Sequence, residues 1–179
     1  MIYLVRHGEA ASAWGQHPDP GLSQLGHKQA ASVAADLSKL DIQNAITSPM
    51  QRCQETAAPF TILSALDLRL EPRVTEIPTV SGIEDRIVWL RKLMSGNWSD
   101  TPQQVQDWRS ALIETVSSLP DNSVVFSHFI AINAIVGDLE GSDAVILFRP
   151  NHCSVTHIQP TNSGMRLVQR GAEASTKVL

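Results

Sequence analysis

The sequence predicts an α/β fold, and three observations carry that expectation. Short apolar runs at residues 2–5, 44–47 and 123–127 have the composition of buried strands. Each ends abruptly on polar residues, and helical periodicity follows. The chain then closes with two more strand-like segments joined by a turn at 160–164. Strand–helix alternation of this kind builds a largely parallel sheet whose ligand crevice lies at the carboxyl ends of its strands.

With 179 residues and 42% hydrophobic side chains, the chain fits one domain, 1–179, around one core, and no internal repeat or low-complexity tract breaks it. Fourteen Lys and Arg against eighteen Asp and Glu leave a net charge of −4, which excludes binding to nucleic acid or anionic membranes through bulk charge. Any bound anion must be held by local cations. No basic segment followed by an apolar stretch opens the chain, and no run reaches membrane-spanning length, so a cytoplasmic protein is expected. Cys53 and Cys153 lack metal-ligand spacing and read as packing residues of a reducing compartment.

Taken in order, the first strand ends on Arg6-His7-Gly8-Glu9, where Gly8 lets the chain turn sharply and brings backbone close to a ligand. Residues 9–20 are loop, in which Trp14 and His17 are candidates to line a pocket mouth. Ser23 reads as the N-cap of a helix running to about residue 40, with Leu25, Val33, Ala34, Leu37 and Leu40 toward the core. A strand at about 44–47 then enters Ser48-Pro49-Met50-Gln51, which matches a capping box with proline at the first helical position. Arg52 therefore sits in the first turn of a helix, where both the helix N-terminus and the guanidinium favour an anion.

Residues 68–74 form an edge-like strand interrupted by Pro72, and Glu76 follows in a loop punctuated by Pro78 and Gly82. A helix is expected from 83 to 94, and Thr101-Pro102-Gln103-Gln104 reads as a capping box opening another, with Val105, Trp108, Leu112, Val116 and Leu119 as its buried stripe. Trp89, Trp98 and Trp108 read as packing residues. The third strand ends on Ser127-His128 at the start of a helix from 129 to 137, whose Phe129 and Asn133 are candidate substrate-selecting residues. His152 and His157 alternate with apolar residues as strand side chains do. No carboxylate or cysteine stands at ligand spacing to them, so no metal site is expected. Three separate strand ends thus carry Arg6 with His7, Arg52, and His128, a coincidence that packing does not explain.

These segments resemble the histidine phosphatase superfamily, which includes the cofactor-dependent phosphoglycerate mutases and many small phosphatases. The resemblance rests on Leu4-Val5-Arg6-His7-Gly8-Glu9, on Asp19-Pro20-Gly21-Leu22-Ser23 with Gly26, Gln29 and Ala30, on Thr47-Ser48-Pro49 with Arg52, Thr56 and Ala57, and on Ser127-His128. The blocks run in order from residue 2 to about 158. What the resemblance implies is a phosphoglycerate mutase-like, three-layer α/β/α sandwich with a mostly parallel central sheet and an antiparallel edge strand. A short lid would occupy about residues 77–104.

It also implies a chemistry. His7 would attack phosphorus through one ring nitrogen while a backbone carbonyl near Gly8 fixes the other. Arg6, Arg52 and His128 would hold the phosphoryl oxygens, with the Gly8 backbone close by. Glu76 would act as acid and then base, with Glu84 and Asp85 as the fallback acids. No cofactor and no metal are implied, and the substrate would be a small phosphorylated metabolite or a phosphoprotein. The short lid favours a phosphatase over a mutase. The chain departs from the family pattern at Ala10, at Ala13 and Gly15, and at Phe129, so a catalytically weakened phosphate-binding or scaffold member is the alternative from a different class.

Overall fold

The structure, a computed structural model, describes residues 1–12, 17–162 and 164–174. One six-stranded sheet has the order β3-β2-β4-β1-β5-β6, built from β1 (Ile2–Arg6), β2 (Asn44–Thr47), β3 (Leu68–Leu70), β4 (Ser123–Ser127), β5 (Val155–Thr161) and β6 (Gly164–Gln169). The α-helices among the described residues are α1 (Gln24–Leu37), α2 (Gln51–Ser64), α3 (Arg86–Met94), α4 (Gln103–Ser117) and α5 (Phe129–Leu139). Strands β3, β2, β4 and β1 run parallel, as the strand–helix alternation requires. The reversed strand is β5, antiparallel to β1. The edge strand β6 pairs antiparallel with β5 in turn, so the sheet is mostly parallel with an antiparallel edge, as expected.

Period-two alternation along the central strands creates two cores, one on each face of the sheet. Ile2, Leu4, Ile46 and Val125 join the cluster that contains Leu112 of α4 and Ile130 of α5. Val5, Ala45, Val124 and Phe126 point the other way, onto Leu37 of α1 and Phe60 of α2. The result is a three-layer sandwich with β1 and β4 at its centre, so that residues at their carboxyl ends meet in the middle of the molecule.

Several local expectations are corrected. Leu25 and Leu40 are 50% and 39% exposed: the buried stripe of α1 runs through Gly26, Ala30, Val33, Ala34 and Leu37, and the helix ends before Leu40. Ser48 does not cap α2. That helix starts at Gln51, whose amide donates to the carboxylate of the distant Asp19 at 3.0 and 3.2 Å. The Thr101 box also fails to form, since the Thr101 hydroxyl donates to Trp98 O at 2.6 Å. Helix α3 begins at Arg86, where the Asp85 carboxylate accepts from the amides of Ile87 and Val88.

Candidate active site

Two glycines allow the loop after β1 to lie against the start of α1. A Cβ on Gly8 would stand 2.7 Å from Gly26 O, and one on Gly26 would overlap Glu9 O. Ser23 seals this contact, with its amide donating to Glu9 O, its hydroxyl donating to the Glu9 carboxylate at 2.6 Å and accepting the Gly26 amide. Gln29 accepts the Glu9 amide at 2.8 Å. Glu9, Ser23, Gly26 and Gln29 are therefore the frame that turns His7 into position.

His7 is 4% exposed, and its Nδ1 lies 2.7 Å from the carbonyl of its neighbour Gly8. A carbonyl only accepts, so Nδ1 carries the proton and Nε2 keeps its lone pair. The Nε–H of Arg52 reaches that nitrogen at 3.3 Å. Burial, followed by the charges of Arg52 and Arg6, holds the His7 pKa well below the ordinary histidine range. His7 is thus a neutral imidazole whose one defined lone pair, on Nε2, accepts from Arg52.

Arg52 Nη2 donates to Nδ1 of His128 at 3.2 Å, which leaves the His128 Nε2–H for the Ser48 hydroxyl at 2.8 Å. The two imidazole rings are 5.3 Å apart. His128 is fully buried, and desolvation keeps it neutral too. Cys53 packs its sulfur 3.4 Å from the same ring, and burial pushes its thiol pKa up, which makes it a packing group and not a nucleophile. Asp19 stands 3.8 Å from Arg52 Nη1 as a partial counter-charge.

Glu76 is 8% exposed, with its carboxylate accepting the amides of Ile77 at 3.0 Å and Ile130 at 3.3 Å. The second of these belongs to the first turn of α5. Desolvation outweighs both hydrogen bonds and the nearby arginines, so its pKa is raised above the usual carboxylate value. A cavity of about 620 Å³ is lined by His7, Arg52 and Glu76 together, and by Met50, His17 and Arg86. An imidazole nitrogen with a defined lone pair, a fixed guanidinium and a carboxyl group with a raised pKa therefore share one cavity.

Arg6 sits behind this wall at 4% exposure, its guanidinium 5.1 Å above the Phe129 ring. Neither Arg6 nor His128 lines the cavity itself. Of the candidate selecting residues, His17 lines the cavity and Trp14 lies outside the described residues. Phe129 and Asn133 are corrected: both are buried, Phe129 under Arg6, and Asn133 with its amide donating to Phe129 O and its carbonyl accepting from Leu147 and Phe148. They are core groups because α5 is buried along its length from Phe129 to Gly137. Glu84 is exposed and Asp85 is occupied as the cap of α3. Of the stretch 77–104, Ile77, Pro78, Thr79 and Arg86 reach the cavity, while Leu90, Leu93 and Trp98 belong to the core.

Sequence reasoning missed Arg86, Thr56 and His152. Thr56 was a matched motif position without a role; its hydroxyl accepts the Gly8 amide at 3.0 Å. His152 alternates with apolar residues as a strand side chain does, yet lies in the loop before β5, with Nε2 3.0 Å from Arg6 Nη2 and its ring 6.1 Å from His7. The signal that finds it is strand direction, because an antiparallel neighbour of β1 delivers its amino-terminal loop to the carboxyl end of β1.

Known proteins resemble this chain in sequence and in fold. The sequence model of the histidine phosphatase superfamily (branch 1) matches residues 2–173. A protein named "Probable phosphoglycerate mutase GpmB" from Cronobacter sakazakii is 28% identical over 185 residues, covering 88% of this chain and 84% of that one. Its namesake from Escherichia coli is 27% identical over 184 residues with the same coverage. Among solved structures, a mycobacterial glucosyl-3-phosphoglycerate phosphatase in complex with VO3 superposes with a TM-score of 0.73 at 23% identity, covering 96% of this chain and 98% of that one. A phosphoserine phosphatase from Entamoeba histolytica in complex with 3-phosphoglyceric acid gives a TM-score of 0.77 at 20% identity, covering 96% of each chain. These structures share the fold. With the sequence model matched from the first strand to the residues after the last, the chain belongs to the histidine phosphatase superfamily.

Proposed function

We propose that the protein is a phosphomonoester phosphatase that needs no metal and works through a phosphohistidine on His7. The observation that carries this reading is the His7 tautomer: Nδ1 is committed to Gly8 O at 2.7 Å, and Nε2 lies beside Arg52 on the wall of a cavity that also holds Glu76. In the first step the Nε2 lone pair forms the N–P bond as the P–O ester bond breaks, and the protonated Glu76 gives its proton to the departing oxygen. The Gly8 carbonyl stabilises the positive charge that develops on the ring. In the second step Glu76 takes a proton from a water whose oxygen attacks phosphorus, the N–P bond breaks, and inorganic phosphate leaves.

Arg52 holds phosphoryl oxygens from the cavity wall, while Arg6, behind it, adds its charge and the neutral His128 accepts from Arg52 Nη2 and so fixes that guanidinium. These groups supply the positive field that a metal ion provides elsewhere. Hydrolysis is favoured over transfer to a second hydroxyl because, of residues 77–104, Ile77, Pro78, Thr79 and Arg86 alone line the cavity, which leaves little chain to shut water out. The substrate class is a small phosphorylated metabolite or a phosphoprotein. The test is turnover of p-nitrophenyl phosphate in EDTA. Activity that survives chelation and is lost in His7→Ala supports the reading, and absence of turnover across a panel of phosphoesters supports a phosphate-binding scaffold instead.

A further inference from the structure

The guanidinium of Arg6 is held by a single loop. Its Nη1 donates to Pro150 O at 2.8 Å and its Nη2 to His152 Nε2 at 3.0 Å, while Phe129 supports one face. That loop is fixed in turn. Cys153 N donates to Arg6 O at 2.9 Å, Arg6 N to Ser154 O at 3.2 Å, and Asn151 N to Ala172 O at 2.8 Å. Backbone and side chain of Arg6 are therefore clasped by the same few residues.

We propose that His152 is a positioning residue for Arg6, a neutral acceptor that fixes the guanidinium plane behind His7 without cancelling its charge. This rests on the reading of Arg6 as part of the phosphoryl-binding field. An arginine donates at every nitrogen, so His152 Nε2 must be the acceptor and its proton must lie on Nδ1. A carboxylate at position 152 would hold the guanidinium as well, yet it would neutralise the charge that draws the phosphoryl group. Burial, and then the Arg6 charge, hold the His152 pKa at about 4, so the ring stays an acceptor through the neutral range. His152 is absent from the cavity wall and acts through Arg6, not on the reacting atoms.

The experiment compares His152→Gln, His152→Leu and His152→Glu by p-nitrophenyl phosphate turnover and by orthovanadate binding, with melting temperatures recorded for each. Gln offers a neutral acceptor and is expected to stay near wild type. Leu removes the acceptor and should lower kcat/KM by about tenfold to a hundredfold, the loss of a hydrogen bond to a charged group. Glu should keep the fold but bind vanadate more weakly than Gln does. In an Arg6→Ala background, His152→Leu should cause no further loss. The proposal is overturned if Leu matches wild type, if Gln is as impaired as Leu, or if Leu adds its full effect without Arg6. Should the Leu variant fail to fold, the Gln and Glu pair decides, with equal vanadate affinities overturning the proposal. A wild-type protein that turns over no phosphoester sinks the phosphatase reading, and the vanadate comparison then still tests the clasp.

Discussion

The hydroxyl of Thr56 accepts the amide of Gly8 at 3.0 Å and donates to the carbonyl of Arg52 at 2.6 Å. One side chain thus ties the loop that carries His7 to the helix turn that carries Arg52. The spacing Arg52-x-x-x-Thr56 has a physical reason: residues four apart share a helix face, so the cation and the anchor of the loop that carries His7 rise together.

Thr56→Val keeps the shape but leaves the buried Gly8 N–H without an acceptor. A stability loss of about 1–3 kcal/mol is expected, together with lower kcat because His7 loses its fixed backbone. Thr56→Ser should restore both. Denaturant unfolding and steady-state kinetics on the pair check this, and a Ser variant no better than Val would contradict the role given to the hydroxyl.

Glu76→Gln is expected to lower kcat by about a hundredfold or more, the contribution of a general acid, while Glu84→Gln leaves it unchanged. Asp85→Ala should cost about 1 kcal/mol of stability through the lost cap of α3 and spare kcat. Equal small effects of the Glu76 and Glu84 substitutions on kcat would remove Glu76 from the mechanism.

Gly26→Ala places a methyl group against Glu9 O and should destabilise by about 1–3 kcal/mol through forced backbone displacement. Activity should fall with it, since the same contact turns His7 into the cavity. A variant with wild-type stability would show that the close packing of Gly26 on the 8–9 loop is dispensable.

Much of this arrangement is legible in the chain because it is local. Three apolar runs ending on Arg6-His7, Ser48 and Ser127-His128 announce strand ends, and helical stripes such as Val33, Ala34 and Leu37 announce the layers. What stays hidden depends on long-range placement. Asp19 caps a helix that starts 32 positions later, so the local box at Ser48 looked sufficient. His152 meets Arg6 across 146 positions, and only the reversed direction of β5 brings them together. Phe129 and Asn133 looked like pocket residues because they follow His128, yet α5 turns them into the core.

The buried imidazoles give a pH signature. His7, His128 and His152 all have lowered pKa values in the fold, so the unfolded chain binds more protons and stability is lost as pH falls below the unfolded value of 6.5. Glu76, with a raised value, has the opposite sign: its contribution is present below the unfolded 4.5 and is lost as pH rises through its folded value. Three groups outweigh one, and the denaturation midpoint at fixed ionic strength is expected to be lower at pH 5 than at pH 7. Glu76→Gln should steepen the fall. A midpoint that rises on acidification would mean that these rings are not neutral in the fold.

The central claim is that phosphorus travels through Nε2 of His7. Rapid mixing with radiolabelled p-nitrophenyl phosphate, an alkaline quench and peptide mapping test it directly. The account predicts label on the peptide that contains His7, stable to alkali and lost in acid, accumulating in Glu76→Gln and absent in His7→Ala. Turnover with no labelled protein in any of these variants, or label on another residue, would contradict it.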